Sequence, residues 1–144
     1  MANKIVEIEK LATQFRKAIE RADRNKLPIT FEKFPRGSCG DAVILLGAYL
    51  IDAGIAPLKY VSTGNTDGSH AWLESDGVVI DITADQFDAS LLKVIIDQKS
   101  RWHEQFDCTV HNYADFRSYD SGTVSRLSGP YQEILSHIRH DVLG

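Results

Sequence analysis

The chain has 144 residues, of which 43% are hydrophobic and 25% are charged, and its net charge is −4. Its two cysteines are too few for a disulfide framework, and no apolar run approaches the roughly 20 residues that a membrane span needs. Residues 37–144 hold seven basic against fifteen acidic residues, which argues against a nucleic-acid-binding role. The charged N-terminus is not a signal peptide, so we predict one cytosolic domain over 1–144, unless another machine exports it.

The first third of the chain is predicted to be helical. Apolar residues recur at three- and four-residue steps over 3–25, which is typical of an amphipathic helix. After an irregular connection over 27–38, a second helix is predicted over 39–52. It is apolar nearly all round and should therefore be central and buried. Ser38 suits its N-cap and Gly54 suits its C-terminal stop.

The pattern then changes to that of β-strands. Strands are predicted over 59–63, 70–74 and 78–82, and a tight turn at 75–77 joins the last two into a hairpin. The three strands should form an antiparallel meander. Residues 89–96 fit either a short helix or a strand, 107–115 predict a further strand, and 130–142 predict a terminal helix.

Three residues follow one another as a thiol nucleophile, its base and the group that orients the base. Cys39 precedes an apolar helical run, His70 opens a predicted strand, and Asp81 is the one acid in the apolar run 78–82. A helix N-terminus favours a thiolate, an imidazole takes the thiol proton, and a carboxylate fixes the imidazole tautomer. Each residue alone has an ordinary structural explanation, but the set in this order predicts a catalytic triad.

Residues beside these three are predicted to contact a substrate: Ser38, Gly40, Trp72 and Gln86. Gly40 lets the backbone pass close to a substrate carbonyl, and the backbone N–H of Cys39 is a candidate oxyanion donor. Gln86 donates to an oxyanion or orients the substrate, or it has only a loop or cap role. Trp72 forms a wall of the cleft or belongs to the core. The remaining histidines lack the spacing of a metal site, so no metal and no cofactor is predicted.

The runs Gly37-Ser38-Cys39-Gly40-Asp41-Ala42, His70-Ala71-Trp72-Leu73-Glu74 and Val79-Ile80-Asp81-Ile82-Thr83 resemble motifs of the transglutaminase-like branch of the papain-like cysteine hydrolases. The resemblance covers residues 34–87. It implies an α+β fold in which a central Cys-bearing helix packs on an antiparallel sheet carrying His and Asp, flanked here by N- and C-terminal helices. It also implies acyl transfer through a thioester, with Cys39 as nucleophile, His70 as base and then acid, and Asp81 as orienter. No calcium-binding loop accompanies it.

The resulting expectation is a cysteine hydrolase or acyltransferase that acts on an amide bond of a protein or peptide, with a peptidase or amidase favoured. One alternative is a deamidating or protein-cross-linking effector or toxin. Another is a non-catalytic binding module on the same scaffold, for which Cys39 would be unreactive. No nucleic acid or membrane is expected as a partner, and the sequence leaves the oligomeric state open.

Overall fold

The computed structural model describes residues 2–65 and 68–138. Within this part of the chain there are four α-helices and one five-stranded antiparallel sheet, which confirms the predicted α+β class. The helices are α1 (Ala2–Arg21), α2 (Cys39–Asp52), α3 (Arg101–Glu104) and α4 (Ser121–Ser136). The strands are β1 (Lys59–Asn65), β2 (Gly68–Ser75), β3 (Val78–Asp81), β4 (Ile95–Asp97) and β5 (Thr109–His111).

The predicted meander forms the centre of the sheet, whose strand order is β4-β3-β2-β1-β5. Ser75 pairs with Val78 across the β2–β3 turn, and both intervening residues, Asp76 and Gly77, have positive φ. That backbone is the one that a two-residue hairpin prefers, because it matches the twist of the strands. The hairpin register therefore puts the end of β3 beside the middle of β2.

Helix α2 is the centre of the hydrophobic core, as its all-round apolar sequence predicts. Eight of its residues are buried: Ala42, Val43, Ile44, Leu45, Leu46, Gly47, Ala48 and Leu50. It packs against β2, where Ala71 and Leu73 belong to the same core cluster. Because strand side chains alternate, His70 and Trp72 lie on the opposite face of the sheet.

Helices α1 and α4 flank the core. The apolar stripe of α1 is buried through Ile8, Phe15 and Ile19, although the helix ends at Arg21 rather than at the predicted residue 25. None of the helices in the described part of the chain is both long and apolar enough to cross a lipid bilayer.

The predicted start of the terminal helix at residue 130 is wrong. Helix α4 begins at Ser121, because the Asp120 carboxylate caps it by accepting a hydrogen bond from the Thr123 N–H, and it continues through Pro130. The predicted end at residue 142 lies outside the described residues. The 89–96 and 107–115 segments each contribute only a short strand, β4 and β5.

Candidate active site

Cys39 is the first residue of α2 and is partly exposed to solvent. Its Sγ lies 4.0 Å from the carbonyl oxygen of Ser69, at the beginning of β2. Ser38 occupies the N-cap position as predicted, but it is fully buried and its hydroxyl donates to the Pro35 carbonyl at 3.1 Å instead of capping the helix. The first N–H groups of α2, which have no carbonyl partner within the helix, are therefore not capped by the Ser38 side chain.

His70 and Asp81 are brought together by the hairpin. His70 Nε2 lies 2.6 Å from Asp81 Oδ2, and both side chains are almost fully buried. The other carboxylate oxygen, Oδ1, accepts the Thr83 N–H at 2.9 Å. The backbone N–H of His70 donates to the Thr63 hydroxyl on β1 at 3.0 Å. Both side chains are thus held on rigid strands.

A second histidine, which the sequence reading did not assign to the site, completes this cluster. His103 on α3 is buried, and its Nε2 lies 2.6 Å from the same Asp81 Oδ2 that His70 contacts. Its Nδ1 is hydrogen-bonded to the hydroxyl of Ser100, the N-cap residue of α3. Nothing in the local sequence indicates this contact, because His103 lies on α3, beyond β4 in the chain, and meets Asp81 only in the fold.

The electrostatics of the cluster favour an ion pair. Burial disfavours a charged His70, but hydrogen bonds and charge from Asp81 and Cys39 outweigh it and raise the pKa of His70 to about 9. Burial likewise disfavours the Asp81 carboxylate, but the His103 and His70 donors outweigh it and lower the pKa of Asp81 to about 2. An imidazolium beside a carboxylate is the arrangement that stabilises a neighbouring thiolate.

Aromatic rings enclose the imidazole of His70. The rings of Phe87, Trp102 and Trp72 have centroids 4.8, 5.7 and 5.6 Å from that of His70. Trp72 is 1% exposed and belongs to a small core cluster with Val61 and Val79, so it lies behind His70 as a core residue. Such a cover excludes water and strengthens the interactions inside it.

Gln86 and Gly40 lie at the accessible side of the cluster. Gln86 Nε2 is 3.4 Å from His70 Nδ1, the ring nitrogen that Asp81 leaves free. Gly40 faces Tyr60, whose hydroxyl would lie 3.7 Å from a Cβ placed on this glycine. Burial and the Cys39 charge raise the pKa of Tyr60 to about 12. The predicted substrate contacts of these two residues stay predictions; Gln86 contacts His70, and Gly40 follows Cys39 in the first turn of α2.

Two recesses lie next to residues that surround His70 and the start of α2. One has a volume of about 470 Å³ and is lined by Tyr60, Ser62, His111, Tyr113, Ser118 and Tyr119. The other has a volume of about 320 Å³ and lies between the loop preceding Cys39, at 33–36, and residues 85–89. The first recess includes Tyr60, which faces Gly40, and the second includes Gln86, which contacts His70.

The His70–Asp81–His103 group is also the kind of donor set that binds a metal ion, since one ligand atom from each residue lies within 4.8 Å of the others. A tetrahedral zinc ion at roughly 2.0–2.2 Å from its ligands keeps those atoms more than about 3 Å apart. Both imidazole nitrogens instead lie 2.6 Å from Oδ2, which is the length of a short, charge-assisted hydrogen bond. We therefore interpret the cluster as two N–H donors on one carboxylate oxygen.

Comparison with known protein families, with curated proteins and with solved structures found no match for this chain. The interpretation of the site depends on its own geometry, which brings His70, Asp81, His103 and Gln86 together and puts Cys39 Sγ 4.0 Å from the carbonyl oxygen of Ser69.

Proposed function

We propose that this protein is a cysteine hydrolase or acyltransferase that cleaves an amide bond through a thioester on Cys39, with hydrolysis as the favoured outcome. The observation that carries the proposal is the buried His70–Asp81 pair next to the start of α2, where Cys39 Sγ lies 4.0 Å from the carbonyl oxygen of Ser69, the residue that precedes His70. The burial of His70 is outweighed by Asp81 and the charge of Cys39, which raise its pKa to about 9. The chain order of the three residues, and a Cys-bearing helix packed on an antiparallel sheet, also support the transglutaminase-like, papain-like core that the sequence resembles.

In the first step the Cys39 thiol gives its proton to His70. Nε2 of His70 is engaged with Asp81, so Nδ1 is the nitrogen that takes it. The thiolate then attacks the amide carbonyl carbon, a C–S bond forms, and the carbonyl π electrons move to the oxygen. The free N–H groups at the start of α2 and the Gln86 amide are the donors available to that oxyanion.

In the second step the oxyanion collapses and the C–N bond breaks. His70 Nδ1–H protonates the departing amine, which leaves a thioester on Cys39 and a neutral imidazole. A water molecule then attacks the carbonyl carbon of the thioester through its oxygen and gives a proton to His70. The C–S bond breaks, the acid is released, and the thiolate and imidazolium are restored. An amine in place of water would make the same sequence a transamidation.

The partly exposed thiol and the two nearby recesses favour a protein or peptide amide as the substrate. Such a substrate extends in two directions from the reacting carbonyl, and two recesses are available to it, one that includes Tyr60 beside Gly40 and one that includes Gln86 beside His70. The tyrosine-lined recess presents apolar ring faces with hydroxyl groups, which suits a large side chain with polar edges.

The first experiment is alkylation by iodoacetamide as a function of pH, read for each cysteine by mass spectrometry. Cys108 is an internal control. Its side chain is largely exposed, but partial desolvation, together with the charges of Glu74 and Asp107, raises its pKa. At pH 6.5 we expect Cys39 to react at least about tenfold faster than Cys108. His70→Gln should abolish this advantage and leave the Cys108 rate unchanged, with circular dichroism verifying the fold.

Turnover is then tested with a fluorogenic peptide-amide library and with Cys39→Ala. A thioester mass adduct on Cys39 and no turnover by the variant would support the mechanism. Turnover by Cys39→Ala would disprove it. A Cys39 that labels no faster than Cys108, and whose rate ignores His70, would favour the non-catalytic binding module.

A further inference from the structure

Asp81 is shared between two histidines in an unusual way. His70 on β2 and His103 on α3 each approach one oxygen, Oδ2, at 2.6 Å, while the second oxygen is used by the Thr83 N–H. We propose that His103 is a positioning residue that competes with His70 for Asp81 Oδ2 and thereby limits how firmly Asp81 holds the proton on His70. Its consequence for catalysis rests on the function proposed above.

The competition follows from hydrogen-bond chemistry. Each N–H that a carboxylate oxygen accepts withdraws negative charge from it, so a second donor weakens the attraction that the first one feels. The N–H dipole of His103 also points its positive end toward the place where the His70 charge develops. Both effects make the His70 imidazolium less stable than Asp81 alone would make it.

Ser100 determines which ring nitrogen of His103 carries the proton and donates to Asp81. The His103 backbone N–H reaches the Ser100 Oγ at 3.4 Å, and the same hydroxyl meets His103 Nδ1. A hydroxyl that donates to Nδ1 leaves the ring proton on Nε2, facing Asp81. The edges of Trp72 and Trp102, with ring centroids 4.6 and 4.8 Å from that of His103, hold the imidazole in this orientation.

The groups that face this cluster come from each surrounding element. The titratable ones are Cys39 from α2, His70 from β2, Asp81 from β3 and His103 from α3; Gln86 and Ser100 add neutral polar groups. Among the described residues, the salt bridges of Asp81 are with the two histidines alone. A change in the titration of His70 on altering His103 therefore reflects their shared Asp81 oxygen together with the direct effect of the His103 N–H dipole, since the two ring centroids lie 6.4 Å apart.

The proposed role matters for the second step of the reaction. A general acid works best when its pKa is close to the working pH, and a proton held too firmly on His70 would not reach the departing amine. By taking part of the charge of Oδ2, His103 keeps His70 able both to accept the thiol proton and to release it.

The test is an NMR titration of the His70 imidazole, which needs no substrate, in the wild type and in two variants of similar side-chain length. His103→Leu removes the donor, and we expect the pKa of His70 to rise by about 0.5–1 unit. His103→Gln keeps an N–H near the position of Nε2 and should leave the value within about 0.3 unit of the wild type. If His103 had only a structural role, His103→Leu would lower the stability of the protein but would not raise the pKa of His70.

An unchanged or lowered pKa of His70 in the folded His103→Leu variant would overturn the proposal. If that variant does not fold, Ser100→Ala is measured instead, because it removes the hydroxyl that holds His103 in the Nε2–H tautomer. We expect the pKa of His70 to rise in this variant by a smaller amount. An unchanged pKa of His70 would overturn the proposal. Because the titration is separate from labelling and turnover, an unreactive Cys39 in a protein that shows the predicted rise would reject the proposed function alone.

Discussion

The two faces of the central sheet differ in what they bury. The face toward α2 carries Ala71, Leu73 and Ile80, and all three are buried in the main hydrophobic cluster. The other face, called the polar face below, adds to a small apolar cluster around Trp72 the side chains of His70 and Asp81, which are as deeply buried but are ionisable. A single strand, β2, contributes to both faces because its side chains alternate.

The comparison separates what stabilises the fold from what prepares the site. Burying apolar side chains lowers the free energy of the folded chain directly, whereas a buried ionisable group raises it unless its partners are complete. The polar face satisfies this condition, since both oxygens of Asp81 accept hydrogen bonds. In the described part of the chain, the buried side-chain polar atom without a partner is Ser75 Oγ, which belongs to the turn end of β2 rather than to the cluster.

The largest expected loss of stability comes from the apolar face. Leu73 is fully buried against α2, and Leu73→Ala should lower the free energy of unfolding by about 3–4 kcal/mol, through lost transfer energy and a cavity. Urea unfolding measures this loss, and Leu73→Ile is the matched control that keeps the volume. If the faces are independent, the folded variant retains the pKa of His70 and the labelling rate of Cys39. A shift of either would show that the faces are coupled.

The polar face should respond in the reverse manner to Asp81→Asn. An amide accepts through one oxygen only, so one of the three N–H groups around this side chain loses its acceptor and faces another donor. We expect a smaller loss of unfolding free energy, about 2–3 kcal/mol, but a fall in the pKa of His70 toward or below its usual value. Cys39 labelling at pH 6.5 should drop by at least about tenfold. Undiminished labelling would mean that Asp81 does not support His70.

The pH dependence of stability distinguishes the faces without altering the core. Because the pKa of His70 is raised to about 9 in the folded protein, its contribution is fully present below pH 6.5 and is lost as the pH rises through 9. The free energy of unfolding of the wild type should therefore exceed that of His70→Gln most at pH 5–6.5. The difference should shrink by pH 9.5, whereas the deficit of Leu73→Ala should hardly change over this range. A difference that grew with pH would contradict the raised pKa.

The sequence was sufficient to predict the main part of the fold, because local patterns specify it. Helix α2 occupies the predicted 39–52, and the hairpin turn is where the run Ser75-Asp76-Gly77 indicates it. The predicted proximity of His70 and Asp81 follows from that hairpin register alone. The edge strand β5 lies within the predicted 107–115 but is shorter, and β4 occupies only the end of the 89–96 segment that fitted either a helix or a strand, since three residues carry too little periodicity to define a strand.

His103 could not be found in the same way, because its contact with Asp81 is tertiary. The Ser100 cap gives a local reason for α3 but none for where its imidazole points. For Ser38 the position in the chain was predicted and the side-chain contact was not. It occupies the N-cap position of α2, but its hydroxyl donates to the Pro35 carbonyl in the preceding loop. For Trp72, of the two roles that the sequence left open, the structure favours the core, because the side chain is buried behind His70.

The smallest expected effect concerns the backbone that holds His70 on the polar face. The Thr63 hydroxyl accepts the His70 N–H, so Thr63→Val keeps the shape of the side chain but leaves a buried donor unpaired. The cost should be about 1–2 kcal/mol of unfolding free energy, measured by urea denaturation, and Thr63→Ser should recover most of it because it retains the hydroxyl. Since this bond fixes the backbone and not the imidazole, the pKa of His70 should change little in either variant. A large shift in the Val variant alone would mean that the alignment of His70 with Asp81 depends on β1 as well as on the hairpin.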